Sequence, residues 1–181
     1  MTMNWNRSKK YGVTLVEIIA VITIIGITAA ISYPALIRYY YNQQINGCAL
    51  EIVSLLTTAR GLSVSSGGGN IYGVVFKKKG DYSIYSFEQG KKIDASNYIS
   101  LGKVYRPGEE SKLSSNIEIT NFSKNKCDVF FIIYRDDGVP TADGINFPLP
   151  SGNAQIELVS SGVNDPLNVK VSKSTGRADI E

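Results

Sequence analysis

The residues with the clearest chemical potential lie at the start of the chain, where a basic segment meets an apolar one. Lys9 and Lys10 come just before Gly12, and Glu17 is the single charged residue in the apolar stretch of residues 13–37. A carboxylate near the centre of a membrane helix costs roughly 2.5–3.5 kcal/mol on insertion scales, and such residues usually have a partner. The nearest cation would be an α-amino group, created by cleavage after Gly12. We therefore expect one cleavage and one ion pair here.

The apolar stretch is long enough to cross a bilayer, since about 20 apolar residues cover the hydrocarbon core. Arg7, Lys9 and Lys10 precede it without a neighbouring acid, which predicts a cytoplasmic N-terminus. Aromatic and basic residues form a collar at its far end, as is common at a membrane interface: Tyr33, Arg38, Tyr39, Tyr40 and Tyr41. We expect a single-pass membrane protein whose remaining chain is extracytoplasmic.

Basic residues, a glycine, an apolar residue and then Thr-Leu-x-Glu resemble the leader and helix start of type IV pilins and pseudopilins. The resemblance covers residues 9 to 41, and Val13 stands where Phe is commoner in that family. It implies that a prepilin peptidase cleaves after Gly12 and that the new amine of Val13 is methylated. It also implies that Glu17 pairs with the amine of a neighbouring subunit during assembly, and that Pro34 bends the helix.

The same resemblance implies partners and a location. The partners would be the prepilin peptidase, other pilin or pseudopilin subunits, an inner-membrane assembly platform and, before assembly, membrane lipid. The protein would lie in the bacterial inner membrane, with its C-terminal domain periplasmic, and later in a pilus or pseudopilus filament. The resemblance leaves open whether that filament belongs to type II secretion, a type IV pilus or a competence system.

Two shorter segments resemble the FimT/GspH group of minor pilins and minor pseudopilins. They are residues 56–60 at the end of the predicted helix, and residues 169–171 with 174–177 near the C-terminus. FimT-type proteins are linked to DNA capture through a terminal Gly-Arg-x-Arg, but Asp179 stands here at the second arginine position. Subtracting the three basic leader residues from 19 leaves 16 basic against 16 acidic side chains. DNA binding leans on phosphate neutralisation, so it is not expected.

Other interpretations of the N-terminal segment explain less. A secretory signal has a core of about 7–15 residues, shorter than this one, although residues 28–30 could serve as its cleavage site. A plain membrane anchor explains the length but neither Gly12 nor Glu17. Two alternatives of function also stay open. One is a tip subunit that binds DNA or a surface, which clustered surface lysines and arginines would indicate. The other is a lone membrane-anchored domain, which an uncleaved leader would indicate.

The hydrophobic pattern predicts an α+β fold, with a long N-terminal helix packed against an antiparallel β-sheet domain. Residues 1–12 would be the cleaved leader, residues 13–66 the helix and residues 67–181 the β-rich domain. An amphipathic stripe with spacings of three and four marks the second half of the helix: Ile45, Cys48, Ile52, Leu55, Ala59 and Leu62. Seven segments are typical of strands: residues 71–76, 82–87, 98–105, 117–122, 129–134, 154–159 and 167–172.

Other clusters of polar residues favour structural roles. Asp136, Asp137 and Asp143 could bind calcium, but Asp-Gly pairs are common turn formers and we expect turns. The lysines at 77–79 and 91–92 could bind an anion, but lysines also keep a hairpin tip soluble, which we favour. The chain has no histidine, and no nucleophile–base pair is recognisable. We therefore expect no catalytic residue, metal, cofactor or enzyme activity.

The two cysteines, Cys48 and Cys127, leave two alternatives open. An exported domain can form a disulfide, and Cys48 lies on the helix stripe that should face the sheet. Cys127 leads into the apolar segment 129–134. Alternatively, both are buried free thiols, which behave as small hydrophobic groups.

We predict that the mature chain begins at Val13 and carries a methylated amine. The reason is the Lys-Lys-Tyr-Gly junction before an apolar span that contains Glu17. Intact-mass analysis of the protein purified from membranes of cells with an active prepilin peptidase checks this. A mass that retains the first twelve residues would contradict it.

Overall fold

The computed structural model describes residues 12–78, 80–91, 93, 96–106, 108, 111–120, 128–140, 154–162 and 165–181. The chain divides into two compact units, Met1–Tyr39 and Tyr40–Glu181. Helix α1 begins in the first unit and ends in the second, which also contains the other elements. In chain order these are α1 (Leu15–Ser65), β1 (Asn70–Lys77), β2 (Asp81–Glu88), α2 (Tyr98–Leu101), β3 (Gly102–Val104), β4 (Ser111–Lys112), β5 (Ile117–Ile119), β6 (Val129–Tyr134), β7 (Ala154–Ser160), β8 (Leu167–Val171) and β9 (Ala178–Ile180).

The end of α1 follows from its local sequence. Gly67 and Gly68, just after the last helical residue, have φ angles of 61° and 90°. Glycine adopts this left-handed conformation without steric cost, so the glycine-rich segment stops the helix as the sequence predicted. Pro34 lies inside the helix, where it lacks the N–H group that would bond to the preceding turn. The bend at Pro34 stays a prediction.

The β-strands form two antiparallel sheets. In sheet A the hydrogen-bonded order is β3-β2-β1-β6, and β4 also pairs with β2. Strands β1 and β2 form the predicted hairpin, with Phe76 opposite Tyr82 and a turn that contains Gly80 at a φ of 86°. In sheet B the order is β5-β7-β8-β9. The predicted α+β plan is confirmed, with its β part divided between two sheets.

The second half of α1 packs into a core to which both sheets contribute. Six helix residues are fully buried there: Ile45, Ala49, Ile52, Leu56, Ala59 and Ser63. The predicted stripe had Cys48, Leu55 and Leu62 where Ala49, Leu56 and Ser63 are buried. The side chains of Cys48, Leu55 and Leu62 are half-buried at the edge of the core. Hydrophobicity favoured the larger side chains, whereas the helix face that meets the sheets has small residues at Ala49 and Ser63.

Ser63 is the buried polar residue of this helix face, and a hydrogen bond explains it. Its hydroxyl oxygen accepts the main-chain N–H of Tyr72 at 2.8 Å, at the beginning of β1. A buried hydroxyl without a partner would cost about 1–3 kcal/mol. The bond therefore both satisfies Ser63 and fixes the first strand against the end of the helix.

One predicted strand is wrong. Residues 98–105 form the short helix α2 and then β3, because the N–H groups of Ser100 and Leu101 both donate to the carbonyl oxygen of Asn97. Ile99 is left 72% exposed, so the β-like composition did not reflect burial. Strands β4 and β9 were not predicted, since two or three residues are too short to show a period. The other six predicted strands are present, and residues 121 and 122 of one lie outside the described residues.

We expect Leu56→Ala to destabilise the second unit strongly. The side chain is fully buried in the core shared by α1 and the two sheets, and truncating such a leucine costs about 2–5 kcal/mol. Leu50→Ala is the matched control on the same helix, because Leu50 is 61% exposed and surface changes usually stay within about 0.5 kcal/mol. Thermal unfolding of the full chain in detergent, followed by circular dichroism, compares them. Equal shifts in Tm would contradict the packing described.

Candidate functional site

The start of α1 is capped by the residues that precede it. The main-chain N–H of Glu17 donates to the carbonyl oxygen of Thr14 at 3.1 Å and lies 3.3 Å from the Thr14 hydroxyl oxygen. Helices leave their first N–H groups without partners, and a threonine that accepts one of them stabilises the start. The Thr-x-x-Glu spacing typical of a capping box was present in the sequence. Sequence reasoning missed this role of Thr14.

The carboxylate of Glu17 is not committed to this cap. It makes no hydrogen bond or ion pair with any described residue, and the side chain lies on the surface of the helix. Its place in the first turn suits a negative charge, because the helix dipole is positive there. Val13, four residues earlier, is 67% exposed. The Glu17 carboxylate is thus accessible at the surface of the described helix. Lys9 and Lys10 lie outside the described residues.

The apolar residues of the first unit are left uncovered by the part of the chain that the structure describes. Every large apolar side chain from Val13 to Ile31 has about half or more of its surface exposed. The two threonine hydroxyls within the stretch bond to the helix itself: Thr23 donates to the Ile19 carbonyl at 2.7 Å, and Thr28 to the Ile24 carbonyl at 2.9 Å. No polar side chain except Glu17 therefore needs an outside partner there. Within the described chain, α1 is the one helix long and apolar enough to cross a membrane.

The aromatic collar falls in both units. Tyr33 and Tyr39 in the first unit are largely exposed. In the second unit, the rings of Tyr40 and Tyr41 lie 6.1 Å apart, and Tyr41 packs against Gly162 in the turn after β7. A methyl group at Gly162 would overlap the Tyr41 ring. Tyr41 therefore has a structural role in the second unit.

The short motif at the end of α1 (residues 56–60) and the one near the C-terminus (residues 174–177) meet in the second unit. Arg60, near the end of α1, donates from Nε to the carbonyl oxygen of Gly138 at 3.1 Å, and Gly176 packs against the same carbonyl. Burial raises the pKa of the Tyr134 hydroxyl, and the charge of Arg60 opposes that rise. Arg177 and Asp179 follow Gly176 and are exposed. Sequence reasoning did not detect this contact.

The aspartates predicted to form a turn do so. One carboxylate oxygen of Asp137 accepts the main-chain N–H of Val139 at 2.9 Å, and the other lies 3.0 Å from the Arg135 guanidinium. Both oxygens are therefore occupied within the turn. No group of three or more potential metal ligands occurs among the described residues, and Asp143 lies outside them.

Two described lysines, Lys78 in the β1–β2 turn and Lys91 after β2, are paired with acids at the surface. Lys78 lies 3.2 Å from Asp128, and both side chains are mostly exposed. Lys91 pairs with Glu88 and lowers the pKa of that carboxyl group. Lys79 and Lys92 lie outside the described residues. The pairing reduces the local positive charge, as suits a solvated hairpin tip rather than an anion site.

The described residues thus combine an exposed apolar helix, with the acid Glu17 near its start, and an α+β domain that follows it in the chain. The chain matches the family model of the prokaryotic N-terminal methylation motif over residues 7–33. The match includes Gly12, Val13 and Glu17 and covers the N-terminal part of the chain, so this segment is similar to that motif.

One solved structure is similar to the chain at low identity. It is the crystal structure of the type IV minor pilin FimU of Pseudomonas aeruginosa, strain PAO1, with 14% sequence identity and a TM-score of 0.49. The similarity covers 79% of this chain and 92% of that one. No curated protein matches the chain.

Cys48 is half-buried and has no cysteine partner among the described residues, and Cys127 lies outside them. Burial raises the pKa of the Cys48 thiol, an effect that the Ser114 main chain opposes and Glu51 reinforces. Asp128, which follows Cys127, bonds through its carbonyl to Lys78 in the β1–β2 turn. The disulfide stays a prediction alongside the free-thiol alternative.

We expect the Cys48 thiol to react slowly with iodoacetamide in a Cys127→Ser variant. Only the thiolate reacts, and a raised pKa lowers the fraction of Cys48 that is thiolate at a given pH. The pH at which the alkylation rate increases should therefore be higher for Cys48 than for a small thiol in solution. Mass spectrometry after timed alkylation of the native chain measures this, with the urea-unfolded chain as control. Equal rates in the two states would contradict the burial of Cys48.

Proposed function

We propose that the protein is a minor pilin or minor pseudopilin, a structural subunit of a filament that forms from membrane-inserted precursors. The observation that carries the proposal is the carboxylate of Glu17, which has no partner among the described residues and lies on a helix whose apolar surface those residues leave uncovered. An apolar surface of this extent must meet lipid or other apolar helices. A carboxylate within it needs a cation. A neighbouring processed subunit supplies both.

In this proposal, cleavage after Gly12 creates the amine of Val13, and its methylation leaves the amine cationic. The precursor rests in the inner membrane through residues 13–37, with its β-rich domain in the periplasm. During assembly the lipid around the helix is replaced by equally apolar helices, so the apolar surface is never exposed to water. Glu17 meets the amine of a neighbour as it leaves lipid, and this contact sets the position of the subunit.

We assign the subunit to the FimT/GspH group on two motifs that lie together in the second unit. Arg60 belongs to the helix-end motif, and Gly176 belongs to the Thr-Gly-Arg turn, and both contact Gly138. The role is structural rather than enzymatic. The exposed Asp179 and the ion pair of Lys78 with Asp128 favour this role over DNA capture at a tip.

The main alternative to a filament subunit is a plain membrane anchor. Variants of Glu17 distinguish the two functions. We expect Glu17→Gln and Glu17→Ala to leave membrane insertion and leader cleavage intact. Both should lower incorporation into sheared filaments of the native host by roughly tenfold or more, since breaking a buried ion pair costs about 3–5 kcal/mol. Immunoblotting of sheared filaments and of membranes measures the two quantities.

Two controls make this test specific. Thr28→Val has nearly the same shape and lies in the same apolar stretch, where the Thr28 hydroxyl bonds to its own helix, so it should assemble normally. Thr14→Ala removes the cap hydroxyl but no charge, and it should cost much less than Glu17→Gln. If the Glu17 variants entered filaments at the normal level, Glu17 would have no assembly role.

A further inference from the structure

Three elements that are distant in sequence meet at one carbonyl group in the second unit. The carbonyl oxygen of Gly138, in the turn after β6, accepts the Nε–H of Arg60 from α1 at 3.1 Å. The α-carbon of Gly176, in the turn between β8 and β9, packs against the same oxygen. The contact thus joins the end of the helix to both sheets.

Neither glycine can be replaced without disturbing this contact. Gly138 and Gly176 have φ angles of 74° and 67°, which disfavour any residue with a side chain. A methyl group at Gly176 would overlap the Gly138 carbonyl oxygen, and one at Gly138 would lie 2.9 Å from a methyl carbon of Val64 and 3.1 Å from Arg60 Nε. Both residues are buried. Packing and backbone conformation therefore demand glycine at both positions.

The β8–β9 turn is held in the shape that this contact needs. The N–H of Gly176 donates to the Ser172 carbonyl at 2.8 Å, and the N–H of Ser172 donates to the Arg177 carbonyl at 2.8 Å. The hydroxyl of Ser172 lies 3.2 Å from that of Ser174. The turn is closed by its own bonds, so it presents Gly176 to the Gly138 carbonyl as a preformed surface.

We propose that Arg60, Gly138 and Gly176 form a clasp through which the C-terminal segment 172–181 holds the end of α1 in the domain. Arg60 is the positioning residue, because its guanidinium fixes the carbonyl on which Gly176 rests. In the turn after β7, Gly162 packs on Tyr41, which gives sheet B a second contact with α1. The Gly-Arg turn thus serves packing, and its glycine is committed to the fold. This inference does not depend on the proposed function.

Hydrogen exchange of the full chain in detergent tests the clasp, with Gly176→Ala compared with Gly90→Ala. Gly90 also has a positive φ, of 86°, but a methyl group there meets nothing within 4 Å, so it controls for backbone strain alone. We expect Gly176→Ala to raise exchange together in residues 61–66, 135–140 and 174–181. If it raised exchange only in its own turn, or no more than Gly90→Ala does in these segments, the clasp would be refuted.

Arg60→Met provides a second variant in case Gly176→Ala does not fold. It removes the Nε–H donor but keeps a long unbranched side chain, and exchange in the same three segments should rise roughly three- to tenfold, as expected for the loss of one hydrogen bond. Arg177→Met is the matched control, since Arg177 is an exposed arginine of the same turn. Unchanged exchange in residues 135–140 and 174–181 of Arg60→Met would overturn the positioning role of Arg60.

Discussion

Helix α1 has to satisfy two environments along its length, because only its second half is buried by the described part of the chain. From Ile45 to Ser63 one face of the helix is buried under two sheets, so its partners belong to its own chain. From Val13 to Ile31 about half or more of each large apolar side chain is left exposed by the described part of the chain, and the partners proposed for them are lipid and other subunits. The hydroxyls of Thr23 and Thr28 bond to the helix, which leaves Glu17 as the one polar side chain there that needs something external.

The two halves call for different kinds of stabilisation. In the domain, burial is supplemented by specific bonds between the helix and the sheets, such as Ser63 with Tyr72 and Arg60 with Gly138. These bonds fix the helix where the sheets approach it closely. In the apolar half, the cap formed by Thr14 fixes where the helix begins, and the carboxylate of Glu17 is left outside that cap. Because the Thr14 hydroxyl caps the helix, the carboxylate of Glu17 stays available to another group.

How far the sequence predicts this protein depends on the range of each interaction. The N-terminal motif, the glycine stop at residues 67–69 and the β1–β2 hairpin are local, and the sequence predicted all of them. The helix face was predicted with Cys48 where Ala49 is buried, because a hydrophobic pattern cannot show how closely a sheet approaches. The contact of Arg60 with Gly138 joins residues 78 positions apart, and no local pattern reports it. The Thr14 cap is also a local feature, but it was not predicted, because Glu17 was interpreted only as the partner of an amine from another subunit.

In the proposed assembly, the apolar face around Glu17 exchanges lipid for the helices of other subunits. Photo-crosslinking in the native host tests it directly, with a photoreactive amino acid placed at Ile22, which is 59% exposed. A second probe at Ile99, on the surface of the domain, serves as control. We expect adducts between the position 22 probe and pilin-like subunits in assembling cells, and we expect these adducts to be lost when the assembly platform is deleted. No protein adduct in assembling cells, or the same adducts without the platform, would contradict it.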